Sequence, residues 1–414
     1  MFALLGTVLD YFGVRPRRAV IVEGDRIRAV VGIEELGEFG VDETYGGEGY
    51  LILPGFINAH THVAMAKFRG LGEDLPTEEW LEKIIWPMER EWTGKEIRKW
   101  AEVGIGEAIA NGSTTINDHY FFAEEIAKIA RKFGIRAFIG QTVMDEVDFP
   151  HASPEKGFRF FKRWKGKDGL VRPTLAPHAT NTVSFELLKE LGEFDDEAVI
   201  HIHLAQSRAE VMDVKRRYGL SPVELLSRAG ILGKRLIGVH GVYLGKDDFK
   251  TLSRAGSTLV HCPTSNAKLE GKTVDLRELL GIGLNVALGN DSPNPTGILD
   301  PFLEMRTAGI VANITTGRAH SVPARELFGM ATISGARALN IKAGLIRPDY
   351  LADLVLLNAK SPWFTPQGNL YSHIVYSARG SDIELVVVNG RIVYENGVFP
   401  LTGKTLEELS GVGA

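Results

Sequence analysis

The chain has 414 residues, of which 44% are hydrophobic, and this composition is typical of a globular protein with a large domain and a smaller one. Its net charge of -5, from 47 basic and 52 acidic residues, gives no electrostatic footprint for nucleic acid or an anionic membrane. The single cysteine, Cys262, excludes an internal disulfide framework. With no signal-peptide pattern and no apolar run approaching ~20 residues, we expect a cytoplasmic protein that acts on a small molecule.

The first 53 residues have the texture of short strands. The segment RRAVIVEGDRIRAVV contains two β-rich runs around Gly24-Asp25, which is a hairpin signal. The texture changes from Leu51 onward, where short apolar runs alternate with longer segments of helical periodicity such as TEEWLEKIIWPMEREW and DPFLEMRTAGIVANI. The eight runs are LILPGFIN, STTIND, RAFIG, LVRPTLAPH, AVIHIHLA, RLIGVHG, STLVHCP and NVALGND.

Eight apolar runs separated by helices predict an α/β fold with a closed, parallel (β/α)8 TIM-like barrel over residues 54–345, each strand being buried on both faces. The C-terminal part returns to β texture in ADLVLLN and IELVVVNGRIVYENGVF, with Asn389-Gly390 as a second hairpin turn. We therefore predict a small composite β-sandwich domain built from residues 1–53 and 346–414, between which the barrel is inserted.

Polar side chains cluster where the apolar runs end, and the carboxyl ends of barrel strands form the catalytic face of this architecture. These residues are His60, His62, His178, His201, His203, His240, His261 and Asp291. One buried histidine is usually a hydrogen-bonded core residue, but seven of the chain's 11 histidines stand at these ends. Because alternate strand residues share a face, His60 and His62 can converge on one ion, and imidazole suits zinc, iron or nickel.

The order of the motifs resembles a known family along almost the whole chain. The segments that carry the resemblance are PGFINAHTHVAMAKFRGLGEDLPTEEWLEKIIWPMEREWT, GSTTINDHYF, APHATNT, HIHLAQSRAEV, VHGVYL, HCPTSNAKLEGKTVDLRELLGIGLNVALGNDS and ADLVLLN. They resemble the amidohydrolase superfamily in its nucleoside and aromatic-base deaminase branch. The likeness is greatest to 5-methylthioadenosine/S-adenosylhomocysteine deaminases and to relatives labelled chlorohydrolases.

The resemblance implies that His60, His62, His203 and Asp291 bind one divalent metal ion, zinc in the first place and iron(II) as the alternative. A metal of this kind lowers the pKa of bound water from near 16 to about 7 and so provides hydroxide at neutral pH. In the family pattern Asp291 also accepts a proton, while His240 orients the attack and stabilises the tetrahedral centre. The expected reaction is the deamination of an amino-substituted purine nucleoside or a related aromatic heterocycle.

One residue departs from the family pattern. The fourth residue of the H-x-x-E motif is the glutamate that protonates the substrate ring, and here it is Gln206, whose amide cannot shuttle a proton at neutral pH. A different leaving group, on another C–N bond or on a C–Cl bond, is one alternative. A non-catalytic binding protein is another, although the intact ligand set argues against it. Glu210, His119 or Asp118 could replace the acid, but a helix after Gln206 is expected to point Glu210 away.

Contacts to the substrate follow from the same resemblance. Glu89 matches a glutamate that approaches ribose hydroxyls, and its competing interpretation is a solvated residue in a charge-rich helix. His178 matches a position near the substrate base, and His119 follows the second strand. Trp86, with Trp80, is expected to line the pocket, although aromatic residues at helical spacing are more often core residues.

Four further expectations concern residues near the site and the assembly of the protein. His261 is interpreted as structural and Cys262 as a small buried hydrophobe rather than a nucleophile. Ser265 and Asn266 are expected to fix a loop near the metal. The resemblance also implies homo-oligomers that associate through barrel helices.

Overall fold

The computed structural model describes residues 1–72, 75 and 77–411. The chain begins with four strands of one sheet, β1 (Phe2–Asp10), β2 (Gly13–Glu23), β3 (Arg26–Gly32) and β4 (Glu43–Pro54). Gly24-Asp25 connects β2 to β3 as predicted, with Glu23 paired to Arg26. β4 ends at Pro54, and the first barrel strand begins two residues later at Phe56.

Eight parallel strands form the barrel, and their order in the sheet follows their order in the chain. They are β5 (Phe56–Thr61), β6 (Ser113–Tyr120), β7 (Arg136–Val143), β8 (Val171–Pro177), β9 (Ile200–Leu204), β10 (Leu236–His240), β11 (Thr258–His261) and β12 (Asn285–Leu288). The segment after β12 closes the ring against β5, where the amide of Asp291 donates to the His60 carbonyl at 3.0 Å. The predicted barrel is confirmed.

Five C-terminal strands return to the first sheet: β13 (Leu354–Asn358), β14 (Ile383–Val388), β15 (Arg391–Glu395), β16 (Val398–Phe399) and β17 (Lys404–Thr405). The resulting nine-stranded mixed sheet has the order β17-β16-β15-β14-β13-β4-β1-β2-β3. Asn389 and Gly390 connect β14 to β15 with φ of 53° and 71°, the left-handed pair that a type I′ hairpin requires. Both chain ends thus build one unit, as expected, while the residue boundaries between the two domains stay predictions.

Helices connect the strands, and several of them pack against the barrel. They are α1 (Thr77–Trp80), α2 (Trp86–Arg90), α3 (Gly94–Ala110), α4 (Ala123–Phe133), α5 (Pro154–Trp164), α6 (Phe185–Phe194), α7 (Arg208–Tyr218), α8 (Pro222–Arg228), α9 (Lys246–Ala255), α10 (Pro263–Glu270), α11 (Leu276–Gly281), α12 (Pro293–Thr296), α13 (Pro301–Thr316), α14 (Ala324–Met330), α15 (Ile333–Ala338), α16 (Leu370–Tyr376) and α17 (Leu406–Ser410). A π-helical turn, Leu81–Ile85, joins α1 to α2. Within the described ranges, none of these helices has the length and apolarity needed to cross a bilayer.

A buried ion pair ties the barrel to the composite sheet. Arg136 opens β7, and its Nε lies 2.7 Å from Oδ2 of Asp353, which immediately precedes β13. A second guanidinium nitrogen donates to Oδ1 at 3.1 Å, so the contact is bidentate. Both side chains are almost inaccessible, at 3% and 2% exposure. This pair lies at the amino end of the barrel strands and leaves the opposite, carboxyl end free for the site.

Candidate metal and substrate site

The first barrel strand, which is completely buried, contains His60, and His62 directly follows its last residue. Nδ1 of His62 lies 2.5 Å from the carbonyl oxygen of His119, so this nitrogen carries the proton and donates. Nδ1 of His60 forms a 2.9 Å hydrogen bond with Nε2 of His201. Both rings are fixed through Nδ1, and each therefore directs Nε2 into the centre of the barrel mouth.

The carboxylate of Asp291 meets these two rings at the point where the barrel closes. Its Oδ1 lies 3.6 Å from Nε2 of His60 and 3.4 Å from Nε2 of His62. Its Oδ2 accepts a hydrogen bond from the Ser265 hydroxyl at 2.5 Å. Asp291 has a φ of 63°, a left-handed conformation that is uncommon outside glycine, and its amide and carbonyl both pair with the β5 segment. The barrel seam thus holds this strained residue in place.

The fifth and sixth strands supply two more imidazoles. Nδ1 of His203 donates to the His178 carbonyl at 2.7 Å, and Nδ1 of His240 donates to Oδ1 of Asn266 at 2.8 Å. His240 adopts a φ of 75°. Its Nε2 has no hydrogen-bond partner among the described residues and is buried. The His178 carbonyl and the Asn266 side chain therefore fix the rings of His203 and His240, and Nε2 of each ring can bind a ligand.

The arrangement of these rings fits a bound cation. Nε2 of His62 lies 3.3 Å from Nε2 of His203, and both rings donate through Nδ1. In the neutral ring each Nε2 then carries a lone pair, so two lone pairs face each other across 3.3 Å. Burial lowers the pKa of both imidazoles, which keeps them neutral. A tetrahedral ion about 2.0–2.1 Å from each nitrogen requires a separation of roughly 3.3 Å between ligands.

Two overlapping sets of potential ligands have their ligand atoms within 4.8 Å of one another. They are His60, His62 and Asp291 in one set, and His60, His203 and His240 in the other. Burial also lowers the pKa of His60 and of His240, and a neutral imidazole is the form that binds metal. The five predicted residues are therefore brought together, and their chemistry suits a metal ion.

A cavity of about 280 Å³ opens from this cluster toward solvent. Its lining includes every substrate contact expected from the sequence, namely Glu89, His119, His178 and Trp86, together with Gln206 and Trp80. The helical segment from Thr77 to Arg90 provides one wall. Nδ1 of His178 lies 2.9 Å from the Thr182 hydroxyl, and burial lowers the pKa of His178 to about 4. The metal-ligand cluster and the expected substrate contacts thus belong to one site.

Glu89 is a buried wall residue, so the competing interpretation as a solvated helix residue is wrong. It is 4% exposed, and its Oε1 accepts a hydrogen bond from the Tyr120 hydroxyl at 2.5 Å. The indole of Trp92 donates to the same hydroxyl at 3.1 Å, which completes a chain of polar groups. Burial raises the pKa of Glu89 to about 8. Nothing in the sequence indicates that Tyr120 orients Glu89, because the two residues are 31 positions apart in the chain.

The expectation that Glu210 points away from the pocket is also wrong. Glu210 is the third residue of α7, and its Oε2 folds back to accept the backbone N–H of Gln206 at 3.0 Å. Its Oε1 accepts a hydrogen bond from the Thr180 hydroxyl at 2.5 Å, and Glu210 lines the cavity. An acidic residue in the first turn of a helix favours this fold-back, because unpaired N–H groups and the helix dipole attract it. Glu210 therefore supports the turn that carries Gln206.

The other residues considered as acids occupy different places. His119 lines the cavity, stacks on His203 with ring centroids 4.8 Å apart, and has no hydrogen bond to its ring nitrogens within the described part of the chain. Asp118 lies behind the wall, where Oδ2 accepts the N–H of Val63 at 2.8 Å. Burial raises the pKa of Asp118 to about 7. Of these two residues, His119 alone lies among the cavity-lining residues.

Two residues near the cluster lie outside the cavity lining. His261 is fully buried, and burial lowers its pKa to about 3. Cys262 is buried too, and burial raises the pKa of its thiol well above the ordinary value, which suits an inert side chain. Ser265 and Asn266 lie in the first turn of α10 rather than in a loop, and they contact Asp291 and His240 respectively, which are residues of the cluster.

The parallel barrel carries a convergent cluster of histidines and Asp291 at the carboxyl ends of its strands, which is the arrangement of a metal-dependent barrel enzyme. Residues 51–393 match the amidohydrolase family, and the chain belongs to this family. It is 37% identical to the 5-methylthioadenosine/S-adenosylhomocysteine deaminase of Pyrococcus furiosus, over 92% of this chain and 95% of that one. It is 38% identical to the 5'-deoxyadenosine deaminase of Methanothermobacter thermautotrophicus, over 94% and 92% of the two chains.

Solved structures agree with this assignment. An adenosine deaminase from Xanthomonas campestris with bound zinc superposes with a TM-score of 0.93 at 27% identity, covering 99% of this chain and 96% of that one. Atrazine chlorohydrolase from Arthrobacter aurescens, complexed with zinc, gives a TM-score of 0.91 at 21% identity, covering 100% and 99%. The second likeness concerns the fold alone.

Proposed function

We propose that this protein is a metal-dependent deaminase of an amino-substituted purine nucleoside. The observation that carries the proposal is the 3.3 Å separation between Nε2 of His62 and Nε2 of His203, both of which line a cavity whose wall also holds the buried carboxyl group of Glu89. Deaminase names among relatives that align over more than 90% of both chains support the choice of reaction. A related aromatic heterocycle is the wider substrate class.

In this proposal His60, His62, His203 and Asp291 bind one divalent ion, and zinc is the ion that three imidazoles and a carboxylate favour, with iron(II) as the alternative. The ion, when bound, activates water for attack at neutral pH. His240, a ring nitrogen of which lies within 4.8 Å of the ligand atoms of His60 and His203, is proposed to hold a water molecule beside the ion.

Asp291 is then proposed to accept a proton, and His240 to orient the attacking water. Asp291 has one oxygen toward the histidines and the other on the Ser265 hydroxyl, so it can accept a proton without losing its place. The Asn266 carbonyl oxygen fixes the proton of His240 on Nδ1. Nε2 of His240 is then an acceptor that positions the attacking water and, once protonated, a donor to the developing oxyanion.

Glu89 is proposed to bind the vicinal hydroxyls of a ribose. Its carboxyl group lies on the cavity wall, is oriented by Tyr120 and has a second oxygen available to the substrate. A carboxyl group can form two hydrogen bonds with a diol, in its protonated form as one donor and one acceptor, and this fixes the sugar relative to the cluster. His178 and His119 line the same cavity and are proposed to contact the base.

Gln206 supports a second candidate function. Its side-chain amide makes no hydrogen bond to the described residues, although Gln206 lines the cavity. An amide can donate to a ring nitrogen but cannot protonate it. A leaving group that departs without ring protonation, on another C–N bond or on a C–Cl bond, would suit such a residue.

The expected homo-oligomeric state stays a prediction.

Ammonia release from adenosine, 5'-deoxyadenosine and 5'-methylthioadenosine tests the first proposal against the second. We expect turnover of at least one of these nucleosides, and a loss of at least about 1,000-fold in His203→Ala. The matched control is His261→Asn, which changes a buried histidine outside the lining and should retain activity if the variant folds. No ammonia from any amino-purine, together with release of chloride or another group from a triazine, would replace the first function by the second.

A further inference from the structure

A buried carboxyl group lies behind the site, outside the described cavity lining. It belongs to Glu304, which is in the first turn of α13 and is 1% exposed. Its Oε2 accepts the backbone N–H of Thr264 at 3.2 Å, and its Oε1 is buried without a hydrogen-bond partner among the described residues. Burial raises the pKa of Glu304 to about 8, because the charged carboxylate is less well solvated there than in water. A group that lowers stability in this way is typical of residues that serve a site.

The N–H that Glu304 accepts belongs to the first turn of α10. Cys262, the residue before this helix, provides no side-chain cap, and Pro263 has no N–H. Thr264 therefore carries the first N–H group of the helix, and such a group has no acceptor within the helix itself. Because α10 packs against α13, the carboxyl group of Glu304 provides that acceptor from a neighbouring helix.

The two residues that follow Thr264 contact the proposed catalytic groups. The Ser265 hydroxyl donates to Oδ2 of Asp291 at 2.5 Å. Oδ1 of Asn266 accepts from Nδ1 of His240 at 2.8 Å. Both side chains extend from the same turn as the Thr264 N–H, so the hydrogen bond to that N–H limits how far they can move. A displacement of about 1 Å at such a point is enough to slow a reaction.

Glu304 is itself anchored at the seam of the barrel. The carbonyl oxygen of Asp300 accepts the backbone N–H of Glu304 at 3.3 Å. The same carbonyl accepts the side-chain amide of Asn290 at 3.2 Å. Asn290 immediately precedes Asp291, so the first turn of α13 is fixed to the segment that carries the proposed proton acceptor.

We propose that Glu304 is a positioning residue: it caps α10 from α13 and so maintains the two contacts that orient Asp291 and His240. The inference rests on the proposed function, because these two residues must take part in the reaction. Glu304 lies outside the described lining and acts through α10. Its removal therefore affects the rate of the bound substrate rather than the binding of the substrate.

Two variants of Glu304 test the need for an acceptor. Glu304→Leu removes the acceptor and also a buried carboxyl group with a free oxygen, so we expect it to fold. Its kcat should fall about 10- to 100-fold, while KM for the nucleoside changes less than about threefold. Glu304→Gln keeps an oxygen for the Thr264 N–H and should recover most of that loss. An equal loss of kcat in both variants would overturn the inference.

The matched control is Met305→Leu. Met305 is the next residue of α13 and is fully buried, and the change alters packing without a polar atom. It should keep the kcat of the unaltered protein. A loss as large as that of Glu304→Leu would show that α13 packing, and not the carboxyl group, is responsible, which would overturn the inference.

A double-mutant cycle tests the route from Glu304 to the site. In an Asn266→Ala background, Glu304→Leu should lower kcat at least about threefold less than it does in the unaltered protein, because one of the contacts that it supports is already absent. Losses that are fully additive would overturn the inference.

Hydrogen–deuterium exchange tests the cap without any turnover. The first turn of α10 should exchange at least about tenfold faster in Glu304→Leu than in the unaltered protein, as measured by mass spectrometry of its peptides. Unchanged exchange would overturn the inference, even if the proposed deamination is confirmed. If no nucleoside releases ammonia, the proposed function is refuted instead, and the exchange rates still decide whether Glu304 caps α10.

Discussion

Replacing Glu89 with glutamine should stabilise the protein at alkaline pH and weaken nucleoside binding. Burial raises the pKa of Glu89 from 4.5 to about 8. Between these values the unfolded chain has lost the proton while the folded chain retains it. The contribution of Glu89 to the free energy of unfolding therefore falls as pH increases from 4.5 to about 8 and stays low above that.

The size of this effect follows from the shift. The difference between about 8 and 4.5 is about 3.5 pH units, and each unit corresponds to ~1.4 kcal/mol, which gives an upper value of ~5 kcal/mol. Glutamine keeps the volume and can still accept the hydrogen bond from Tyr120. We therefore expect Glu89→Gln to increase the free energy of unfolding by ~2–5 kcal/mol at pH 9 and by less than ~1 kcal/mol at pH 5.

Urea denaturation followed by tryptophan fluorescence at pH 5 and pH 9 measures both values. At pH 9, above the pKa of about 8, the same variant should raise KM for a nucleoside with a vicinal diol by about tenfold or more, because a charged acceptor is lost. Glu91→Gln, at the exposed end of the same wall, is the control and should change neither quantity. An equal effect of Glu89→Gln on stability at both pH values would refute the reasoning.

The remaining predictions concern the proton donor, the domain junction and the support of His240. Gln206→Glu should increase kcat/KM for adenine nucleosides at least about tenfold in an ammonia assay, and an unchanged value would show that the amide does not limit the reaction. Arg136→Met should lower the free energy of unfolding in urea by ~3–5 kcal/mol, because Asp353 is left buried without a counter-charge; a loss below ~1 kcal/mol would contradict this. Asn266→Ala should lower kcat about 10–100-fold with the metal retained, and undiminished kcat would exclude the proposed support.

The sequence was most informative where local pattern determines structure. Apolar runs bounded by polar residues predict buried parallel strands, and the barrel then brings their carboxyl ends together. His60, His203 and Asp291 meet for this reason, although they lie far apart in the chain. The Asn389-Gly390 hairpin was equally predictable, because its two residues tolerate positive φ.

Features that depend on long-range packing could not be predicted in this way. The contact of Arg136 with Asp353 joins residues 217 positions apart, and nothing local marks either one. The fold-back of Glu210 was missed because helical periodicity describes where a residue lies around an axis. It does not predict that a carboxylate in the first turn accepts a hydrogen bond from the backbone N–H of Gln206.

Metal analysis of the purified protein tests the central claim, that these histidines and Asp291 form a one-metal hydrolytic site. We predict one equivalent of zinc or iron per chain by inductively coupled plasma mass spectrometry, and loss of that ion in His203→Ala. Ammonia release should stop on chelation and return with added metal. A chain that binds no stoichiometric ion, or a His203→Ala variant that still releases ammonia at the rate of the unaltered protein, would contradict it.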